Sequence, residues 1–182
     1  MTDTSLSEAL KEAYASAPAN TIIYSTIEMW HSAFTTPIRV VRAYTDITAQ
    51  LESTAPRDPG AIVTFVAFSF DITRPEVVSD SIPQITITID NVSREVLANI
   101  EKTIGTYETI KIIYREYIGI DGNTSNLGQG YGPENNPPIE LTVLGITADV
   151  HKITATAGFP NLNNKKFPTT AYDSTVFTGL SI

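Results

Sequence analysis

The stretch Pro83-Gln84-Ile85-Thr86-Ile87-Thr88-Ile89-Asp90-Asn91-Val92 constrains the fold more than any other. Ile85, Ile87 and Ile89 alternate with Thr86, Thr88 and Asp90. A period of two places apolar side chains on one face of a strand and polar ones on the other. Isoleucine and threonine are β-branched and suit a pleated, half-buried surface. The period then changes. Val92, Val96, Ile100 and Ile104 recur every four residues, with Leu97 beside them, which predicts a short helix with an apolar stripe. Asn91 or Ser93 can cap its first turn. A second strand pattern follows from about Glu108 to Ile120, so a strand, a short helix and a strand hold the middle of the chain. None of these residues is a natural catalyst.

The chain is long enough, at 182 residues, for one sizeable core, and one domain is the default. Hydrophobic residues make up 42% and charged residues only 18%. So little charge fits a threonine-rich β protein, and equally a subunit whose surface is covered by neighbours. The formal net charge of −8 argues against binding a phosphate backbone, because an acidic chain gains nothing from counterion release. There is no cysteine, which removes disulfides, thiolate zinc sites and cysteine nucleophiles together. Met1-Thr2-Asp3-Thr4-Ser5 lacks the basic region and apolar core of a secretory signal. The longest apolar stretch, Ala61 to Phe70, is far short of the ~20 residues of a membrane helix, so no membrane insertion is expected.

Ser5-Leu6-Ser7-Glu8 has the spacing of a capping box. Leu6, Leu10, Ala13, Tyr14 and Ala17 then share a face, and Pro18 stops the helix. An amphipathic helix over 5–17 is expected within an N-terminal arm, residues 1–20, that either joins the core or docks on a partner. The rest, residues 21–182, reads as a single β-rich domain. Strands are expected at Thr21–Trp30, Ile38–Tyr44, Ala61–Ile72, Glu108–Ile120 and Ile139–Val150, with a continuation over His151–Ala157. Both faces of Ala61–Ile72 are apolar, which marks a central strand. Residues 53–60 form a loop by composition. Residues 121–138 hold four glycines, three prolines and four asparagines. A loop this long is functional or ordered only on binding, and here it reads as an interface or lumen element. The tail from Phe159 onward, with Phe167, Tyr172 and Phe177, reads as an extended segment that packs onto something. The fold class is therefore mainly β with short helices, an N-terminal helix and one short central helix.

No catalytic, cofactor-binding or metal-ligating residue emerges, and neither an enzyme nor a cofactor is expected. His31 and His151 have no metal-ligand spacing, and His31, between Trp30 and Phe34, reads as a satisfied core or surface histidine. The glycines of 121–138 lack phosphate-loop spacing. Asp121-Gly122-Asn123-Thr124-Ser125 starts like a calcium loop, but Asn126 stands where the turn glycine belongs and Gly132 where the bidentate glutamate belongs. Asp71, Glu76, Asp80, Asp90 and Glu95 are scattered acids. Two alternatives stay open: a carbohydrate- or surface-binding β-sandwich using Trp30, Tyr131 and the 121–138 loop, and, behind it, a small hydrolase.

In order, Ile38-Arg39-Val40-Val41-Arg42, Val63-Thr64-Phe65-Val66-Ala67-Phe68-Ser69-Phe70, the Pro83–Val92 stretch, Lys111-Ile112-Ile113-Tyr114-Arg115-Glu116-Tyr117 and the closing Phe167-Pro168 resemble a family of minor tail proteins from long-tailed bacteriophages. More distantly they are similar to the amino-terminal domain of tail-tip hub proteins of the minor-tail-protein-L type. The carboxy-terminal cysteine cluster of those proteins, which binds iron–sulfur, has no counterpart in a chain without cysteine. The resemblance implies an antiparallel barrel or sandwich of the tail-tube and hub type that assembles into a homo-oligomeric ring, a trimer in preference to a hexamer. It places the ring in the virion at the tail tip, after synthesis in the host cytoplasm. Implied partners are the distal tail or tube protein, the tip attachment protein and the tape measure, with DNA only in transit.

Overall fold

The computed structural model describes residues 8–16, 18–73, 84–90, 99–103, 105–106, 108–149 and 152–159. Helix α1 spans Glu8–Ser16. Nine strands follow: β1 (Thr21–Trp30), β2 (Ile38–Val41), β3 (Ile47–Gln50), β4 (Ile62–Ala67), β5 (Phe70–Thr73), β6 (Gln84–Asp90), β7 (Lys111–Ile120), β8 (Ile139–Ala148) and β9 (Lys152–Gly158). About half of the described residues are in strands. The capping box at Ser5–Ser7, most of the expected central helix and the tail from Pro160 lie outside the described residues. Residues 99–101 are helical, within the span expected for that helix.

The strands form one sheet in the order β3-β4-β2-β1-β7-β8-β9-β6-β5. It is neither wholly antiparallel nor closed. The chain reverses twice between β2 and β4, so β4 returns in the direction of β2 and the two pair in parallel, Val40 with Val66 and Val41 with Ala67. The sheet begins at β3 and ends at β5, which pairs with β6 alone. The closed-barrel expectation is corrected to an open, mixed sheet. That sheet is nonetheless strongly coiled. Only Phe68 and Ser69 separate β4, near one end of the strand order, from β5 at the other. Three Cα–Cα steps span at most ~11 Å, so the two ends of the sheet approach each other.

The same two residues correct the reading of Ala61–Ile72 as one central strand. Its two apolar faces belong to two cores. Phe70 joins Ile27, Met29, Val40, Ile85, Ile87, Ile89, Ile112, Leu141 and Ile153 inside the coil of the sheet. Phe65 joins Tyr24, Val41, Ile47, Ala49, Leu51, Tyr117 and Leu127 in a second core on the opposite face. There β3 and β4 fold over β1 and β7, and the rings of Phe65 and Tyr117 stand 6.0 Å apart. Ile85, Ile87 and Ile89 face a core as their alternation dictates, and β5 lies beside them with Phe70 opposite Ile89 and Ile72 opposite Ile87.

In β1 and β7 the alternation decides which core each residue serves. Ile27 and Met29 point one way, Tyr24, Thr26 and Glu28 the other. Across the ladder Tyr24 pairs with Tyr117 and Thr26 with Arg115. In β8 the phase slips. Val143 faces Ala157 and Gly145 faces Thr156, so Leu144 is the extra residue of a β-bulge. Leu144 is thrown outward, 57% exposed, and Ile146 turns in against the first core. A strict period of two places Ile146 outward, because periodicity carries no record of a bulge.

The 121–138 loop is part of the fold. Gln50 N–H donates to the Leu127 carbonyl at 2.8 Å, Leu127 N–H to Thr48 at 2.9 Å and Thr48 N–H to Thr124 at 2.9 Å. The loop thus covers the outer edge of β3, which otherwise invites pairing with foreign strands. Leu127 is buried in the second core.

Candidate functional site

Two polar groups sit in apolar surroundings, one on each face of the sheet. The first centres on Arg115, which is fully buried. Its Nε and Nη2 donate to the two carboxylate oxygens of Glu52, both at 2.8 Å, and its Nη1 donates to Glu28 Oε2 at 2.6 Å. Arg39 Nη2 meets the other Glu28 oxygen at 3.3 Å and Asp58 at 2.7 Å. Alternation on β1, β2 and β7 puts Glu28, Arg39 and Arg115 on one face, and the connection after β3 brings Glu52 and Asp58 over it. Burial works to lower the Arg115 pKa, but the Glu52 hydrogen bonds and the Glu28 and Glu52 charges outweigh it, and the guanidinium is held charged. Fork-to-carboxylate geometry of this kind fixes position. Both carboxylates are committed to arginines, so the group ties the β3–β4 connection to the sheet. Nearby, the Arg57 guanidinium lies over the Trp30 ring, 3.5 Å from its centroid.

The second group stands at a cleft of about 920 Å³ that opens into the coil of the sheet. Its walls include Ile27, Phe70, Ile72, Ile85 and Leu141. At its polar end Glu116 Oε1 accepts from Tyr114 at 2.5 Å and from Tyr14 at 2.9 Å, and the Tyr114 hydroxyl also meets Ser25 Oγ at 3.1 Å. Asn135 clamps β7 from the loop: Glu116 N–H donates to Asn135 Oδ1 at 2.8 Å, and Asn135 Nδ2 donates to the Tyr114 carbonyl at 3.1 Å. Burial, then the bond to Glu116 and its charge, raise the Tyr114 pKa far above the usual phenol range. An apolar cleft with a few convergent polar groups is a binding geometry. Ser25 is partnered by a tyrosine and not by a histidine base, so the arrangement differs from that of an activated nucleophile.

His31 is a core residue. Its Nδ1 accepts from Ala33 N–H at 3.0 Å, and its Nε2 meets Thr106 Oγ1 at 3.1 Å and the Glu108 carbonyl at 3.3 Å. His151, Glu76, Asp80 and Glu95 lie outside the described residues. Asp71 is on β5, in an exposed pair with Arg42 at 3.5 Å. Asp121 accepts from Asn20 Nδ2 at 3.3 Å. No group of three or more His, Asp or Glu among the described residues is placed to hold a metal ion. Tyr131 is 62% exposed at the tip of the loop. Sequence reasoning missed Glu28, Glu52, Arg115, Tyr114 and Glu116. The available signal was a charge at a position whose strand neighbours alternate into a core, as Arg115 stands between Ile113 and Tyr117.

Fold and site together define a mainly β domain: one coiled, open mixed sheet with two cores, a buried ion group on one face and an apolar cleft on the other. A family model described as a domain of unknown function, DUF1833, matches residues 9–172. The chain belongs to that family. No curated protein matches it.

Proposed function

We propose that this protein is a structural virion protein of a long-tailed phage, a ring subunit at the distal end of the tail tube that connects the tube to tip and receptor-binding proteins. The observation that carries this reading is the outward face of β4. Ile62 and Val66 are about half exposed there, at 49% and 50%. Tyr44, in the turn between β2 and β3, is completely exposed. Apolar side chains of this kind on a domain with so little charge are what a subunit with large interfaces presents. Of the segments that resemble phage minor tail proteins, Phe167-Pro168 lies outside the described residues, and the described parts of the others fall on β2, on β4 and β5, on β6 and on β7. The subunit partners itself, as a trimer in preference to a hexamer, and the distal tail, tip attachment and tape-measure proteins. It resides at the virion tail tip. Its net charge of −8 keeps passing DNA from adhering to the ring wall.

Electron microscopy of intact particles is the test. Density for this chain repeated three or six times about the tail axis is the expected result. One copy, or density in an off-axis fibre, ends the ring reading. The carbohydrate-binding alternative has the exposed Tyr131 in its favour. Against it, Arg57 already covers a face of Trp30 that a sugar would stack on.

A further inference from the structure

Two strand edges face each other across the apolar cleft. One is β5, the last strand of the sheet. The other is the first half of β1, because β2 pairs only with Thr26–Met29. Ser25 accepts from Arg42 N–H on the β2 side. Backbone groups alternate sides along an antiparallel strand, so Ile23 points its N–H and C=O to that same side. Among the described residues no backbone partner meets Ile23 there or the outer edge of β5. Ser25 in the first half of β1 and Phe70 and Ile72 of β5 line one cleft, so the two edges border the same gap. At its upper end the gap is pinned by the Phe68 N–H to Val41 carbonyl bond, 2.9 Å, and by the Arg42–Asp71 pair.

We propose that this gap is a strand slot, filled in the assembled particle by an extended stretch of a second copy of this chain drawn from residues 160–182. The inference deepens the ring reading and rests on it. A row of backbone donors and acceptors is satisfied by another extended backbone, and an apolar trough beside it takes every second side chain. The charged side chains that line the cleft are Glu116 and Glu140 against Arg42. Residues 160–182 lie outside the described residues and enter here as sequence alone. They carry Lys165 and Lys166 against the single acid Asp173, so they are net basic in a chain of charge −8. Leu180 and Ile182 alternate, and Val176 falls in the same phase with Thr178 between. The stretch follows Phe159, which itself lines the cleft, and 23 extended residues reach roughly 75 Å, enough to cross to a neighbour. Donor stretch and acceptor slot are different parts of one chain, which is the heterologous contact that closes a ring.

The experiment is amide hydrogen exchange on the full-length protein, in dilute monomer and in assembled form, with sedimentation as the companion readout. In the assembled form the amide of Ile23 and those amides of β5 that face away from β6 are expected to exchange at least about tenfold more slowly than in the monomer. K165E/K166E is expected to abolish that slowing and to sediment as monomer with an unchanged melting temperature. A synthetic peptide of residues 160–182, added to the wild-type assembly, is expected to dissolve it, and a scrambled peptide is not. Equal exchange in monomer and assembly overturns the proposal. So does protection already complete in the dilute monomer, which places the stretch in its own cleft. A K165E/K166E protein that still forms a symmetric ring in particles overturns the slot and leaves the ring; wild-type particles without a ring overturn the ring reading itself.

Discussion

Arg115 has no exposed surface, and its three hydrogen bonds all end on glutamates that are themselves buried. Removing it strands two carboxylates in an apolar layer. Arg115→Met is expected to cost about 3–5 kcal/mol, read from denaturant midpoints. The triple change Glu28→Gln, Glu52→Gln, Arg115→Met is expected to recover much of that loss, since no charge is left unpaired; a triple variant weaker than the single one contradicts this account. Ile87, 1% exposed among Ile85, Phe70 and Ile153, is the apolar counterpart. Ile87→Asp is expected to lose roughly 4 kcal/mol or more, seen as a large drop in melting temperature. Two buried tyrosines make stability depend on alkaline pH. Burial raises the pKa of both Tyr114 and Tyr117 above the ordinary 10.0, aided at Tyr114 by Glu116. A raised pKa means that the unfolded chain releases protons first. Stability from these two groups is therefore complete below about pH 10 and falls as pH climbs beyond it. Replacing both by phenylalanine is expected to flatten the decline in unfolding free energy between about pH 9 and pH 11; an unchanged slope assigns it to other groups.

At the scale of elements, the 121–138 loop behaves as a packed strap. It covers the edge of β3, supplies Leu127 to the second core and clamps β7 through Asn135. The sequence reads this stretch as an interface or lumen element, whose deletion over 123–136 leaves the domain folded and impairs assembly. The hydrogen bonds reverse that expectation: deleting residues 123–136 uncovers an edge strand and empties a core position, and the circular-dichroism melt is expected to lose its cooperative transition. Gly128 makes the same point with one atom. It has φ +65°, and a β-carbon there collides with the Gly132 carbonyl. Gly128→Ala is expected to lower the melting temperature more than Gly130→Ala, whose added carbon meets open space. Equal effects at the two positions contradict a packed loop.

On the scale of the whole molecule, the open sheet joins stability to assembly. The β3 edge is covered by the chain's own loop, whereas the β5 edge and the first half of β1 border an acidic, apolar cleft. The ring reading and the strand slot account for that asymmetry: one edge is protected against any strand, and the other is kept for one. Exposed apolar residues on β4 and at Tyr44 add a second contact surface on the opposite side of the sheet order. Ile62→Lys with Val66→Lys is expected to keep the fold and block incorporation into particles, measured by complementation and particle composition. Full incorporation of that variant removes β4 from the interface.

The sequence by itself determined most of the strands, because a period of two over five or more residues is a local property. It also determined that Ile85, Ile87 and Ile89 turn inward, and that a helix ends before Pro18. It did not reveal β3, a four-residue strand whose partners are β4 and the 121–138 loop. Nor did it reveal the break at Phe68–Ser69, since an alternating run looks the same whether it serves one sheet position or two. The Leu144 bulge, the parallel β2–β4 pair and the open β5 edge all depend on what lies across the ladder. The site was least legible of all. Glu28, Glu52 and Arg115 are far apart in sequence, as are Tyr14, Ser25 and Glu116. A charge is stable in a core only when its partner arrives from elsewhere in the chain, and that meeting is decided by tertiary structure.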